Sequence, residues 1–342
     1  MKAAPAPRAG AGAASGPRPE ASDKPRGDPD LSRDFPRLRQ LIERARFIAS
    51  CERTRIGLVH PCDALALQAA RLILDEGVAQ PLLVGNRRLV EAAAEKAGVD
   101  ARDFEIVDTD AAPQAAAARA VELAREGTLR ALMKGSLHTD ELMSAVVHRE
   151  TGLRSNTRIS HAFVFDLPRY HKLLALADCV VNIAPDLKSK LDIVGNALDL
   201  LRRIGVQRPA AAVVAAVETV NPAIAATLDA QELVRQGREG RWGDAGIEGP
   251  LGFDNAFSAQ AARTKHIESG HAGDFDLMVV PDLNAGNMLY KSFVYVGGGE
   301  CAGLVLGARV PIVLTSRADS LTARVASVAL AAIATRAEAT AS

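Results

Sequence analysis

The chain carries no excess of charge: its 342 residues include 41 basic and 41 acidic side chains. A general nucleic-acid binder, which needs a dominant cationic surface, is therefore not expected. Cysteine is scarce. Cys51, Cys62, Cys179 and Cys301 are scattered without a CxxC pair, which argues against a zinc ribbon or a disulfide framework. Cys179 and Cys301 stand in apolar surroundings and read as buried, inert thiols. No apolar run reaches the roughly 18–20 residues of a membrane span. Residues 1 to about 29 are rich in Ala, Pro, Gly and Arg but lack the apolar stretch of a secretory signal. That segment has almost nothing to bury and is expected to be a flexible tail. The seven histidines form no HExxH or other ligand spacing, so no metal site is expected. The expectation is a soluble, cytoplasmic protein.

What the chain does have is alternation. After a first helix over Phe35–Ser50, strand-like and helix-like segments follow one another. Strands are expected at Arg55–His60, Pro81–Gly85, Phe104–Asp108 and Leu129–Met133. Helices are expected at Ala64–Glu76, Arg87–Ala97, Ala111–Glu126 and from Thr139 to about Arg149. Short connections between them imply βαβ units and a largely parallel sheet. The pattern changes near residue 160. Ile159–Phe165 and Ala177–Ile183 are apolar runs with no long helix between them, so they are expected to pair antiparallel. Further helices are expected at Lys188–Ile204, at Pro222–Arg238 (capped by Asn221), at Phe257–Glu268 and from Asn284 to about Phe293. Strands are expected at Pro209–Val217, Phe275–Val280 and Val310–Leu314, the last feeding a terminal helix from Ser320 to about Ala334. Gly240 to Phe253 reads as a Gly-rich connection. The predicted class is α/β with two domains: residues 34–157 plus 303–342, and residues 158–302, after a tail of residues 1–33.

Two polar loops interrupt this pattern at strand ends, where open α/β sheets build ligand sites. Thr315-Ser316-Arg317-Ala318-Asp319-Ser320 follows an apolar strand. Arg317 beside a helix N-terminus is a natural anion receptor, and Ser316 can donate to a developing oxyanion or leaving thiolate. An ordinary Ser/Asp helix cap with a surface arginine explains the same residues. Asp282 to Asn287 offers Asn284, Gly286 and Asn287, with Lys291 one turn further on; the bland reading is a tight turn. Lys134-Gly135-Ser136 follows a strand but lacks P-loop spacing. Gly297-Gly298-Gly299-Glu300-Cys301-Ala302 matches GxGxxA but arrives too late for a βαβ dinucleotide fingerprint. His161, inside an apolar run, reads as a core or cleft residue.

The segments PDLNAGNMLYK (281–291), GGGECAG (297–303), VPIVLTSRADS (310–320) and EGPLGFDNA (248–256) together resemble the phosphate acetyltransferase/phosphate butyryltransferase family. The likeness runs over roughly residues 45–340. It implies reversible acyl transfer between coenzyme A and inorganic phosphate, with no metal or redox cofactor and CoA only as substrate or product. It implies two α/β/α domains with the site in the cleft between them, an architecture similar to isocitrate and isopropylmalate dehydrogenases. It also implies a homodimer or larger assembly, with acyl-CoA and phosphate as partners. By motif position Arg317 matches the family's phosphate-binding arginine and Ser316 its neighbouring serine. Arg158 matches a second cleft arginine, serving phosphate or CoA. Asn284 and Lys291 fall where the family lines its cleft. One departure stands out. Acetyl-type members carry an acid early in the last helix, whereas Leu321-Thr322-Ala323-Arg324 has none. Asp319 is the nearest carboxylate. The wording of LTSRADS and EGPLGFDNA is closer to butyryl-type members. The rivals are an NAD(P)-dependent oxidoreductase on the related fold and a non-catalytic acyl-CoA sensor.

Overall fold

Helix starts along this chain are set by short polar side chains. Asp63, Asn86, Asp186, Asp282 and Ser320 each accept a backbone N–H of the helix they precede, removing one orphan donor at each start. The computed structural model describes residues 35–315 and 319–335. The expected tail and the pair Ser316 and Arg317 lie outside the described residues.

In chain order the elements are α1 (Pro36–Cys51), β1 (Arg55–Val59), α2 (Ala64–Asp75), β2 (Gln80–Val84), α3 (Arg87–Ala97), β3 (Glu105–Val107), α4 (Pro113–Arg125), β4 (Ala131–Lys134) and α5 (Thr139–Val146). There follow β5 (Ser160–Asp166), β6 (Leu174–Ala177), α6 (Leu187–Arg203), β7 (Ala210–Val214), α7 (Ala225–Arg238), β8 (Gly246–Leu251), α8 (Phe253–Phe257) and α9 (Ala259–Thr264). The chain continues with β9 (Leu277–Val279), α10 (Leu283–Tyr295), β10 (Glu300–Leu306), β11 (Ile312–Val313) and α11 (Leu321–Ala334).

The strands form one sheet in the order β3-β2-β1-β4-β11-β10-β5-β6-β9-β7-β8. From β3 to β11 neighbours are parallel. Three antiparallel steps then follow, β11–β10, β10–β5 and β5–β6. Beyond β6 the pairing is parallel again. An odd number of reversals makes the two parallel stretches run in opposite directions. The carboxyl ends of β1, β4 and β11 therefore face one end of the sheet, and those of β6, β9 and β7 face the other. Helix α11 packs on β10, α1 and α2 and is buried from Thr322 to Ile333. That explains its near-absence of polar side chains.

Several sequence expectations are corrected. The apolar run Ala177–Ile183 is not a strand: β6 ends at Ala177, and Phe163 pairs with Leu176. The antiparallel pairing holds, but residues 178–182 turn about the buried Asp178. Asn221 does not cap a helix beginning at Pro222. Its side chain accepts from Ala223 N at 2.9 Å in a local turn, and α7 starts at Ala225. The Gly-rich connection hides an edge strand, β8, whose Ile247 pairs with Ala211. The expected helix over Phe257–Glu268 is instead two short ones, α8 and α9, broken at Ser258.

Candidate functional site

At the first sheet end, β1 and β4 deliver two loops against each other. His60 leaves β1 with φ 53°, and Gly135 passes directly beneath it. A Cβ on Gly135 would lie 2.5 Å from the Val59 carbonyl and 2.7 Å from that of His60, so only glycine fits. Ser136 Oγ then donates to the His60 carbonyl at 2.6 Å and accepts from Cys62 N at 2.8 Å. Lys134 Nζ donates to the Leu137 carbonyl at 3.2 Å. Cys62 Sγ sits 3.6 Å from His60 Nδ1, but burial and Asp63 push this thiol up to about 11. It stays protonated, so the pair is not a thiolate nucleophile with its base.

Beside these loops stands the end of β11. Thr315 Oγ1 accepts from Arg324 Nη1 at 3.0 Å. Ser320 caps α11, accepting from Ala323 N at 2.9 Å and donating to Glu300 Oε2 at 2.7 Å. Burial, with Asp319 nearby, raises the Glu300 carboxyl above its usual range against the pull of Ser320. Asp319 thus faces a second acid, at the start of β10. Among the described residues no three His, Cys, Asp or Glu side chains converge to hold a metal ion.

At the opposite sheet end the organising residue is Asp178, which sequence reading passed over. It follows β6 and is 3% exposed. Its Oδ1 accepts from Val180 N and Val181 N at 2.9 and 3.0 Å. Its Oδ2 accepts from Asn182 Nδ2 at 2.6 Å and from His161 N at 3.2 Å. Asn182 Oδ1, so oriented, accepts from Arg158 Nε at 2.6 Å. Arg158, Arg154 and Lys188 line a cavity of about 740 Å³ together with Asn182 and Asp186. The only sequence signal was a pair of polar residues, Asp178 and Asn182, bracketing an apolar tripeptide.

Helix α10 starts at the same end. Gly286 packs on the Asp178 turn so closely that a Cβ would lie 2.7 Å from the Asp178 carbonyl and 3.1 Å from Cys179 Cα. Asn287 Nδ2 reaches the Cys179 carbonyl at 3.4 Å. Asn284 and Lys291, seven residues apart, share an exposed face of α10 with Met288. The structure therefore brings Arg158, Gly286 and Asn287 to one turn, and sets Asp319 at the other sheet end.

Three other motifs acquire structural roles. Gly297–Gly299 joins α10 to β10, a helix-to-strand turn and not the strand-to-helix turn of a dinucleotide site. Glu248 accepts from His271 Nδ1 at 2.6 Å and from Ser269, and Asn255 donates to Glu218, so EGPLGFDNA is braced by residues on either side of it in sequence. His161 is 1% exposed, edge-on to Phe163 at 4.4 Å, and its Nδ1 has no hydrogen-bond partner among the described residues.

Burial pushes the His161 imidazole down to about 4 from 6.5, against the nearby Asp178 charge. Between those values the unfolded chain binds a proton that the folded chain does not. Stability should therefore be level above pH 6.5 and fall as pH drops toward 4, by up to roughly 3 kcal/mol from this group. Melting curves from pH 7 to 4.5 check this: His161→Leu should flatten the slope, and an unaltered slope would acquit His161.

The comparisons with known proteins agree along the chain. Residues 114–332 match the family model described as phosphate acetyl/butaryl transferase. A phosphate acetyltransferase of Rhizobium meliloti is 48% identical over 81% of this chain and 87% of its own length. A Clostridium acetobutylicum phosphate butyryltransferase is 36% identical over 84% and 95%. Among solved structures, a branched-chain phosphotransacylase from Enterococcus faecalis superposes with TM-score 0.73 at 28% identity, over 82% of this chain and 99% of its own. A putative 4-hydroxythreonine-4-phosphate dehydrogenase from Salmonella typhimurium, at TM-score 0.52 and 15% identity, shares the fold alone, as expected of a dehydrogenase-like architecture. With the family model spanning more than half its length and relatives aligned over most of theirs, this chain belongs to the phosphate acetyl/butyryl transferase family.

Proposed function

We propose that this protein transfers a short acyl group reversibly between coenzyme A and inorganic phosphate. The observation that carries the reading is the near full-length likeness to phosphate acetyl- and butyryltransferases. In the forward step a phosphate oxygen attacks the thioester carbonyl carbon. The C–S bond breaks, the thiolate leaves to take a proton, and an acyl phosphate forms. Two anions must meet, so positive charge and alignment are what the site has to supply. Arg317 pairs with the phosphate and Ser316 donates to the tetrahedral oxyanion or the departing sulfur. Asp319, the nearest carboxylate in sequence, orients phosphate through its remaining proton.

Arg158, held by Asn182, takes the anionic nucleotide portion of CoA in the cavity it shares with Arg154 and Lys188. Gly286 and Asn287 keep the neighbouring turn in place, and Asn284 and Lys291 contact substrate from α10. Residues 34–157 with 303–342 form one lobe and residues 158–302 the other, each giving a wall of the cleft. Neither a metal nor a redox cofactor enters the chemistry. The protein works in the cytoplasm, in keeping with its unpaired cysteines. It works as a homo-oligomer, in keeping with exposed Ile183, Met288, Tyr295 and Val296.

The test is CoA release from acetyl-, propionyl- and butyryl-CoA, with and without phosphate, followed with a thiol reagent. Phosphate-dependent release is expected, and the ranking of kcat/KM assigns the acyl length. CoA binding without release from any of them would favour the acyl-CoA sensor.

A further inference from the structure

Helix α11 buries an apolar surface from Thr322 to Ile333, and within it lies one guanidinium, that of Arg324. Arg324 is 5% exposed. It occupies the first turn of the helix, where the aligned peptide dipoles present positive charge and disfavour a cation. Burial disfavours it again, and holds Arg324 below its ordinary value in spite of the attraction of Asp319 and Asp63. An apolar side chain of similar volume would fill the place without either cost. What arginine adds is a directed hydrogen bond: its Nη1 donates to Thr315 Oγ1 at 3.0 Å. Thr315, itself 5% exposed, directly precedes Ser316 and Arg317 in the sequence.

The two carboxylates come from different elements. Asp63 caps α2 through Ala66 N at 2.8 Å, in the loop after β1. Asp319 belongs to the turn into α11. The hydrogen bond from Arg324 to Thr315 ties the start of α11 to the end of β11, and the charge of Asp63 in the β1 loop favours the Arg324 cation from further off.

We propose that Arg324 is a positioning residue for phosphate, fixing the end of β11 through Thr315 so that the substrate phosphate is gripped in one place. The proposal rests on the acyl-transfer reading above. It assigns work to the stretch that lacks the acid of acetyl-type relatives: a buried cation sets the phosphate end from behind.

Full-length Arg324→Met, Arg324→Lys and Thr315→Val enzymes provide the test, each checked for folding by its melting curve. In folded Arg324→Met the KM for phosphate should rise roughly tenfold or more, while the KM for acyl-CoA stays within about twofold. Arg324→Lys should recover part of the loss, and Thr315→Val should raise the phosphate KM by a smaller factor. An unchanged phosphate KM in folded Arg324→Met overturns the proposal. So does an equal loss on both substrates, which marks a merely structural residue. If Arg324→Met does not fold, Thr315→Val decides, and an unchanged phosphate KM there overturns it. If the wild-type protein shows no phosphate-dependent release, it is the functional reading that fails. Calorimetric titration with inorganic phosphate, wild type against Arg324→Met, then still decides: weaker binding in the variant supports the positioning role and equal binding refutes it.

Discussion

Arg317→Ala is expected to lower kcat/KM for phosphate by roughly 10²–10³-fold while leaving affinity for CoA near the wild-type level. The magnitude follows from charge. A phosphate near neutral pH carries between one and two negative charges and must approach a carbonyl on which further negative charge develops. Losing one preorganised donor to such a centre costs about 10²–10³-fold, and a guanidinium brings two parallel N–H groups as well as its charge. Arg317→Lys should recover only part of the activity, since ammonium keeps the charge but not the fork. The check is the initial rate of CoA release against phosphate concentration at saturating acyl-CoA, with CoA affinity measured separately. Unchanged phosphate dependence would remove Arg317 from the mechanism. A parallel loss of CoA binding would instead say that the residue serves the nucleotide.

Much of this fold was legible because local chemistry and burial agree. The helix expected over Lys188–Ile204 is α6, which buries Val194, Leu198 and Leu201 at the 3.6-residue period and half-buries Leu191, and α3 spans the expected Arg87–Ala97. Failures came where one buried polar group overrides a pattern. Cys179–Val181 is apolar enough to continue a strand, but the Asp178 carboxylate collects the following N–H groups and curls the chain. Strand β8 was hidden because glycine and proline mark loops, whereas an edge strand has one unpaired side and tolerates both. Arg158, Gly286 and Asn287 stand out in the sequence as candidates and meet at one turn, yet what holds them there was not legible. Asp178 and Arg324 act through partners far away in sequence or across a turn, and no spacing rule announces a hydrogen bond that tertiary packing creates.

Asp178→Ala should be the most damaging single change outside the proposed phosphate-binding residues. The carboxylate collects five N–H donors, from His161, Val180, Val181, and both the backbone and side chain of Asn182. Removing it strands those donors in a buried place, each at a cost of about 1–3 kcal/mol unless water enters. A net loss of about 3–5 kcal/mol is expected, comparable with the whole stability of many domains. Asp178→Asn is the more informative variant. It keeps one acceptor oxygen but turns an amide toward groups that only donate, so the turn should loosen without necessarily unfolding. Asn182 would then be oriented only by its bond to the Ile159 carbonyl, at 3.0 Å, and would hold Arg158 less firmly. Urea unfolding should show both variants destabilised, Ala more than Asn. Folded Asp178→Asn should raise the KM for acyl-CoA several-fold while moving the KM for phosphate less, because Arg158 stands at the sheet end away from Thr315. A larger change in the phosphate KM would mean that the two ends act as one site, and that Arg158 contacts the phosphate itself.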